Sequence, residues 1–180
     1  MGLLVLVRLV HADGSQFVWR RSCLQAGEWW RLFTCHWVHF TPSHFFQNLA
    51  VFACCGVFLE RRSRILLVFA LLVSSLAIPL GLQFCDPSLA VYGGLSGVNH
   101  GLLFLVGLFW LRSGHRDLAF GLWALLAVKL GLELSGLRFS LVSLAGTEVR
   151  PVPLAHLLGL LSCVLLVPLA QRLDRAPSDR

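Results

Sequence analysis

Tyr92-Gly93-Gly94-Leu95-Ser96-Gly97-Val98-Asn99-His100-Gly101 opens an apolar run that continues from Leu102 to Leu111. A serine among glycines therefore stands in the first turns of a helix apolar enough to enter a membrane. Glycine allows another backbone or a substrate to come close. A helix start also presents unpaired N–H groups to a developing negative charge. Read alone, the stretch serves equally well as a small-residue packing face between membrane helices. The rest of the chain has to decide.

Of the 180 residues, 57% are hydrophobic and 13% charged, where a soluble domain carries about 25% charged. With a mean hydropathy of +0.76, the chain reads as an integral membrane protein, one compact bundle in a lipid bilayer. The net charge of +6 does not indicate a nucleic-acid partner. Its arginines sit in short loops, where they act as topology signals. Six cysteines occur without zinc or haem spacing, so no metal and no cofactor is expected. Cys54-Cys55 lies within an apolar run and faces lipid or core. Cys23, Cys35 and Cys85 fall on the side read below as outer, and a disulfide among them stays open.

Residues 1–10 are apolar apart from Arg8 but too short for a span of about 20 residues. They lack the basic start and small-residue cleavage site of a signal peptide, and read as a shortened or half-visible first transmembrane helix. Residues 11–41 mix Trp19, Trp29, Trp30 and Trp37 with Arg20, Arg21 and Arg31, the composition of an interfacial loop. Apolar runs follow at 42–59, 65–84, 89–111, 118–137 and 154–170. Glu60-Arg61-Arg62-Ser63-Arg64, Cys85-Asp86-Pro87-Ser88, Arg112–Asp117 and the turn-rich 138–153 loop separate them, and 171–180 is a polar tail. The expected fold is an all-α, polytopic transmembrane helix bundle, a single domain over 1–180. It has five full spans plus the shortened first helix.

Lys129 and Glu133 fall inside the fourth run at i, i+4. Charges at that depth are costly, so mutual pairing is expected. With nothing reactive near them in sequence, the pair reads as structural. Arg61, Arg62, Arg64, Arg112, Arg116, Arg172, Arg175 and Arg180 alternate with the less basic 85–88 and 138–153 connections. The first set is thereby placed inside and the Cys85 and Arg138 loops outside. Arg20, Arg21 and Arg31 dilute that contrast.

The helices that start outside are those near Pro42, Leu89 and Leu154, and each carries polar groups in its first turns. His44 and Asn48, four apart, share one helical face. Ser96 stands on the second helix and His156 on the third. A serine hydroxyl is a weak nucleophile until a base takes its proton, and imidazole is the usual base near neutral pH. Attack on a peptide carbonyl creates an oxyanion, for which His44 and Asn48 offer N–H donors. Ser96 and His156 would then form a dyad with no acidic third member in view. Taken one at a time, His156 and Asn48 read more readily as hydrogen-bonded contacts between helices than as catalytic groups. A zinc site from His36, His39 and His44 is disfavoured by their spacing.

From Trp30 almost to the C-terminus these residues resemble the rhomboid family of intramembrane serine proteases. Trp30-Arg31 with Thr34 and His39 is similar to the family's interfacial loop signature. His44-Phe45-Phe46-Gln47-Asn48 resembles its H-x-x-x-N oxyanion motif, and Glu60 with Arg61 and Arg62 the end of its second helix. Gly94-Leu95-Ser96-Gly97 resembles the G-x-S-G nucleophile motif, and Ala155-His156-Leu157-Leu158-Gly159 the A-H-x-x-G base motif. The resemblance implies Ser96 and His156 as the dyad, with His44, Asn48 and the Ser96 N–H around the oxyanion. It also implies that Gly159 lets the last helix lie against the serine helix. Two positions depart from the pattern. His100 stands where many rhomboids stack an aromatic on the base, and Cys163 replaces a small residue.

His36-Trp37-Val38-His39 and Ser96–Gly101 are most similar to the rhombosortase branch. That resemblance implies a substrate anchored in the membrane, with a C-terminal Gly-Gly motif, a transmembrane helix and a basic end. The expected location is the bacterial inner membrane, with the site facing the periplasm. The alternatives are a general rhomboid with other single-span substrates, or an inactive relative that binds membrane clients.

Overall fold

The computed structural model describes residues 16–136 and 151–175. The shortened first helix expected at 1–10, most of the 138–153 loop and the last five residues of the tail lie outside the described residues.

The segment before Pro42 is built from short pieces. Strand β1 (Trp19–Arg20) leads into helix α1 (Arg21–Gln25), then α2 (Arg31–Thr34) and a 3-10 turn at Cys35–Trp37. Side chains fasten these pieces to the bundle. Arg21 donates to the carbonyls of Leu82 (3.1 Å), Asp86 (2.7 Å) and Gln83, at the carboxyl end of helix α4 (Arg64–Cys85), where helical carbonyls lack intrahelical donors. Arg31 donates to Val18 O at 2.7 Å and pairs with Glu28, and Thr34 donates to Phe17 O at 2.9 Å. These arginines blurred the orientation signal, but two of them act as local fasteners. Trp29, Trp30 and Trp37 are exposed, as an interfacial belt requires. Trp19 is instead fully buried.

Helix α3 (Pro42–Arg62) starts where Thr41 accepts the His44 N–H at 3.2 Å and Pro42 takes the first helical position, a favoured start. Ser63 caps α4 in the same way by accepting the Leu66 N–H. The span expected from Leu89 begins later. Residues Val91–Tyr92 form strand β2, antiparallel to β1 with Trp19 opposite Tyr92. Gly94 has φ 127°, a left-handed geometry that glycine tolerates and a helix does not. Helix α5 therefore runs Ser96–Arg112, and Ser96 is its first residue. Helix α6 covers Arg116–Leu134.

The last span is broken. Helix α7 (Pro153–Val164) and helix α8 (Val167–Arg175) meet at a 42° bend. Pro168 in the first turn of α8 supplies no N–H and crowds the carbonyl four residues back. Helix α8 also carries helical structure into what reads in sequence as the polar tail.

Helix α5 is buried on nearly all sides, Gly97–Leu102 and Leu105–Phe109 included, so it is the central helix. Val68, Phe69 and Leu72 of α4 and Leu125 and Val128 of α6 are exposed, forming an apolar exterior that marks an integral membrane protein. Among the described residues, α3 and α4 are long and apolar enough to span alone, and the bent α7–α8 pair adds a third candidate. Helix α5 has only 17 residues, and α6 carries Arg116, Asp117, Lys129 and Glu133. All six cysteines are free thiols, so no bridge joins Cys23, Cys35 and Cys85. Cys54 is exposed and Cys55 buried.

Candidate active site

Ser96 and His156 are brought together by backbone contact between α5 and α7. A Cβ placed on Gly159 would lie 1.9 Å from Gly97 O, and one on Gly101 would lie 2.5 Å from Gly159 O. Only glycine permits so close an approach. Pro153 starts α7, so His156 falls in its first turn and meets Ser96 at the start of α5. Ser96 Oγ lies 3.0 Å from His156 Nε2.

His100, one turn below Ser96, donates from Nδ1 to Ser96 O at 2.7 Å. Its ring stacks on His156, with centroids 4.1 Å apart and planes 13° from parallel. The departure noted in the sequence thus preserves a flat partner for the His156 ring.

The other ring nitrogen meets a residue that reads in sequence only as half of a local ion pair. His156 Nδ1 lies 2.6 Å from Glu133 Oε2, deep in the bundle. The other carboxylate oxygen, Oε1, accepts from Lys129 Nζ. The expectation of a purely local Lys129–Glu133 pair, with no acid near the imidazole, is therefore corrected. The reason is directional: α6 runs opposite to α5 and α7, so its last turn lies level with their first turns. Glu133 therefore stands at a helix end, away from the helix starts that carry the other site residues.

His44 and Asn48 occupy the same end of the bundle. A Cβ on Gly94, two residues before Ser96, would lie 3.0 Å from His44 Cε1. The Nδ1 of His44 is buried without a hydrogen-bond partner. Asn48 donates from Nδ2 to His44 O at 2.9 Å, and its Oδ1 accepts from Asn99 Nδ2 at 3.1 Å. One Nδ2 hydrogen of Asn48 remains to be used. Ser96, as the first helical residue, leaves its own N–H without an intrahelical acceptor.

The loop before Ser96 is held by the interfacial segment. Leu95 N–H donates to His39 Nε2 at 3.3 Å, and Gly94 N–H donates to Cys35 O at 3.0 Å. Tyr92 donates its hydroxyl to Gly94 O at 3.2 Å. Burial, and then the neighbouring His44 ring, lower the His39 pKa to about 4, so its Nε2 stays free to accept. His36 turns elsewhere, with Nε2 3.2 Å from Ser75 O, and burial lowers its pKa too. Cys35 is buried and burial raises its thiol pKa well above the ordinary range.

This geometry meets a family match that spans most of the chain: residues 26–172 match the Rhomboid domain. The chain belongs to the Rhomboid domain family. No curated protein matches it significantly. Rhomboid proteins are generally intramembrane serine proteases acting on membrane-protein substrates in the bilayer, although some members are inactive. Within the matched region lie Ser96, His156, His44 and Asn48, and also Glu133, which the rhomboid motifs quoted above do not include.

Proposed function

We propose that this chain is an intramembrane serine endopeptidase whose nucleophile is Ser96 and whose base is His156. The observation that carries the reading is the 3.0 Å approach of Ser96 Oγ to His156 Nε2, with the imidazole stacked on His100. As Ser96 Oγ attacks the scissile carbonyl, its proton passes to His156 Nε2. The carbonyl oxygen, now negative, is met by the Ser96 N–H and by donors from His44 and Asn48. Collapse breaks the C–N bond, and His156 returns the proton to the departing amine. Water then gives a proton to His156 as it attacks the acyl-enzyme, releasing the new carboxyl end and restoring Ser96.

The whole chain acts in this reading as one rhomboid-like membrane domain with five full spans and a shortened first helix. Its site opens to the outer face, the periplasmic side of a bacterial inner membrane. The resemblance of His36–His39 and Ser96–Gly101 to rhombosortases supports a narrower substrate class: membrane-anchored proteins with a C-terminal Gly-Gly motif before their transmembrane helix.

A fluorophosphonate probe tests the assignment. Wild-type protein in detergent should be labelled and Ser96→Ala should not. Equal labelling of both overturns the choice of nucleophile, and no labelling of either favours an inactive client-binding relative. For the substrate class, a co-expressed Gly-Gly-tailed membrane protein should be shortened by wild type alone.

A further inference from the structure

We propose that Glu133 is a positioning acid for His156, completing a Ser96–His156–Glu133 relay, and that Lys129 holds the carboxylate in place. The proposal rests on the protease reading above and adds a member to its machinery.

The geometry is that of a relay. The imidazole faces Ser96 Oγ with one nitrogen and Glu133 Oε2, at 2.6 Å, with the other. With Nδ1–H donating to the carboxylate, Nε2 keeps its lone pair toward the serine, the tautomer a general base requires. When the serine proton arrives on Nε2, the carboxylate balances the positive imidazolium and remains ionised throughout. The proton goes on to the leaving amine, so Glu133 neither gains nor loses one. His100 and Glu133 divide the task of fixing the ring: the stack sets its plane, and the hydrogen bond sets its rotation within that plane.

A local ion pair does not account for Glu133. The Glu133 side chain is 1% exposed and that of Lys129 is 30% exposed. The carboxylate is thus turned inward, where a buried anion is costly without several donors. A pair serving the helix alone gains nothing from that burial. The order is also the less favourable one, because acid before base at i, i+4 suits a helix better than base before acid. Lys129 instead reaches inward from the surface to the oxygen that His156 leaves free. The charged or titratable groups facing the imidazole are Glu133 and Lys129 from α6, His100 from α5 and His44 from α3.

The test follows the fluorophosphonate labelling rate of the full-length chain, together with its melting temperature. Glu133→Gln should lower the maximal labelling rate by ~10²- to 10³-fold with little change in the probe concentration for half-maximal rate, since loss of a relay acid costs up to about 10⁴-fold in soluble serine proteases. Glu133→Asp, which retains the charge, should recover at least part of that loss. The double variant Lys129→Met/Glu133→Gln removes both charges together and separates the two roles. If Glu133 only neutralises Lys129, the double variant regains wild-type stability and wild-type labelling together. If Glu133 positions His156, stability returns and labelling stays low. A Glu133→Gln rate close to wild type, or recovery in the double variant, overturns the proposal while leaving Ser96 and His156 in place. A wild-type chain that takes no probe overturns the proposal and the protease reading together.

Discussion

Helix α7 meets α5 backbone against backbone, whereas it reaches α6 through the Glu133–His156 bond. In the first seam Gly97, Gly101 and Gly159 have no side chains to yield, so any added atom must push whole helices apart. In the second a long side chain spans the gap, and a change there alters charge and orientation while leaving the helix spacing alone. One seam sets where the imidazole is. The other sets which way it faces. Stability and reactivity should therefore respond differently to substitutions on the two sides.

The largest effect should come from Gly159→Ala. Its methyl would sit 1.9 Å from Gly97 O, and relief requires a separation of about 1 Å, a displacement that can cost ~10²-fold in rate. Melting temperature and probe labelling should fall together; a stable, fully reactive variant would break the backbone-seam account. Gly101→Ala should act in the same direction but less strongly. Its methyl meets Gly159 O at 2.5 Å and Cys163 Sγ at 2.6 Å, and the thiol can turn aside. A Gly101→Ala chain worse than Gly159→Ala would shift the tightest point of the seam one turn inward.

A pH series sharpens the comparison at the start of α5. His39 titrates near 4 in the folded chain and near 6.5 when unfolded. As pH falls through 6.5 the unfolded chain takes up a proton that the folded chain refuses. Stability should then decline between pH 6.5 and 4 and level off below, by ~1–3 kcal/mol. His36, also lowered by burial, acts in the same sense. His39→Gln keeps an acceptor for the Leu95 N–H without titrating, and should flatten the slope seen in thermal melts; an unchanged slope removes His39 from the account. The smallest effect belongs to Ser162→Ala, which loses the 2.7 Å bond to Ser74 across the α4–α7 contact. Chemical denaturation should register a loss of about 0.5–1 kcal/mol, with labelling unchanged.

Much of the site could be read from sequence because its residues cluster with small neighbours at helix starts. Ser96 and Gly97, His156 and Gly159, and His44 and Asn48 each lie within a turn of one another, so local spacing carries the signal. Glu133 shares no such neighbourhood. It meets His156 because α6 runs the other way, and antiparallel packing is visible only when helix ends are compared with helix starts. Strand β2 was hidden for a similar reason: its partner Trp19 is distant in sequence, and Val91-Tyr92 reads as part of an apolar run. Trp19 carried a compositional signal for the interface, yet its pairing with Tyr92 buries it. The break before α8 is legible in the sequence, since Pro168 stands inside the apolar run 154–170.

The lengths of α4 and α5 have one more consequence. Twenty-two residues against seventeen is a difference of about 7.5 Å at 1.5 Å per residue. The Asp86–Leu95 connection, a turn at Pro87-Ser88 followed by strand β2, makes up that shortfall with non-helical chain, whose backbone groups need protein or water around them at a level where lipid would otherwise reach. The short helix is the central one, so Ser96 at its start is ringed by the bundle and not set on the apolar wall. On the protease proposal, water has to reach only that helix start, and no aqueous channel through the full thickness of the bilayer is needed.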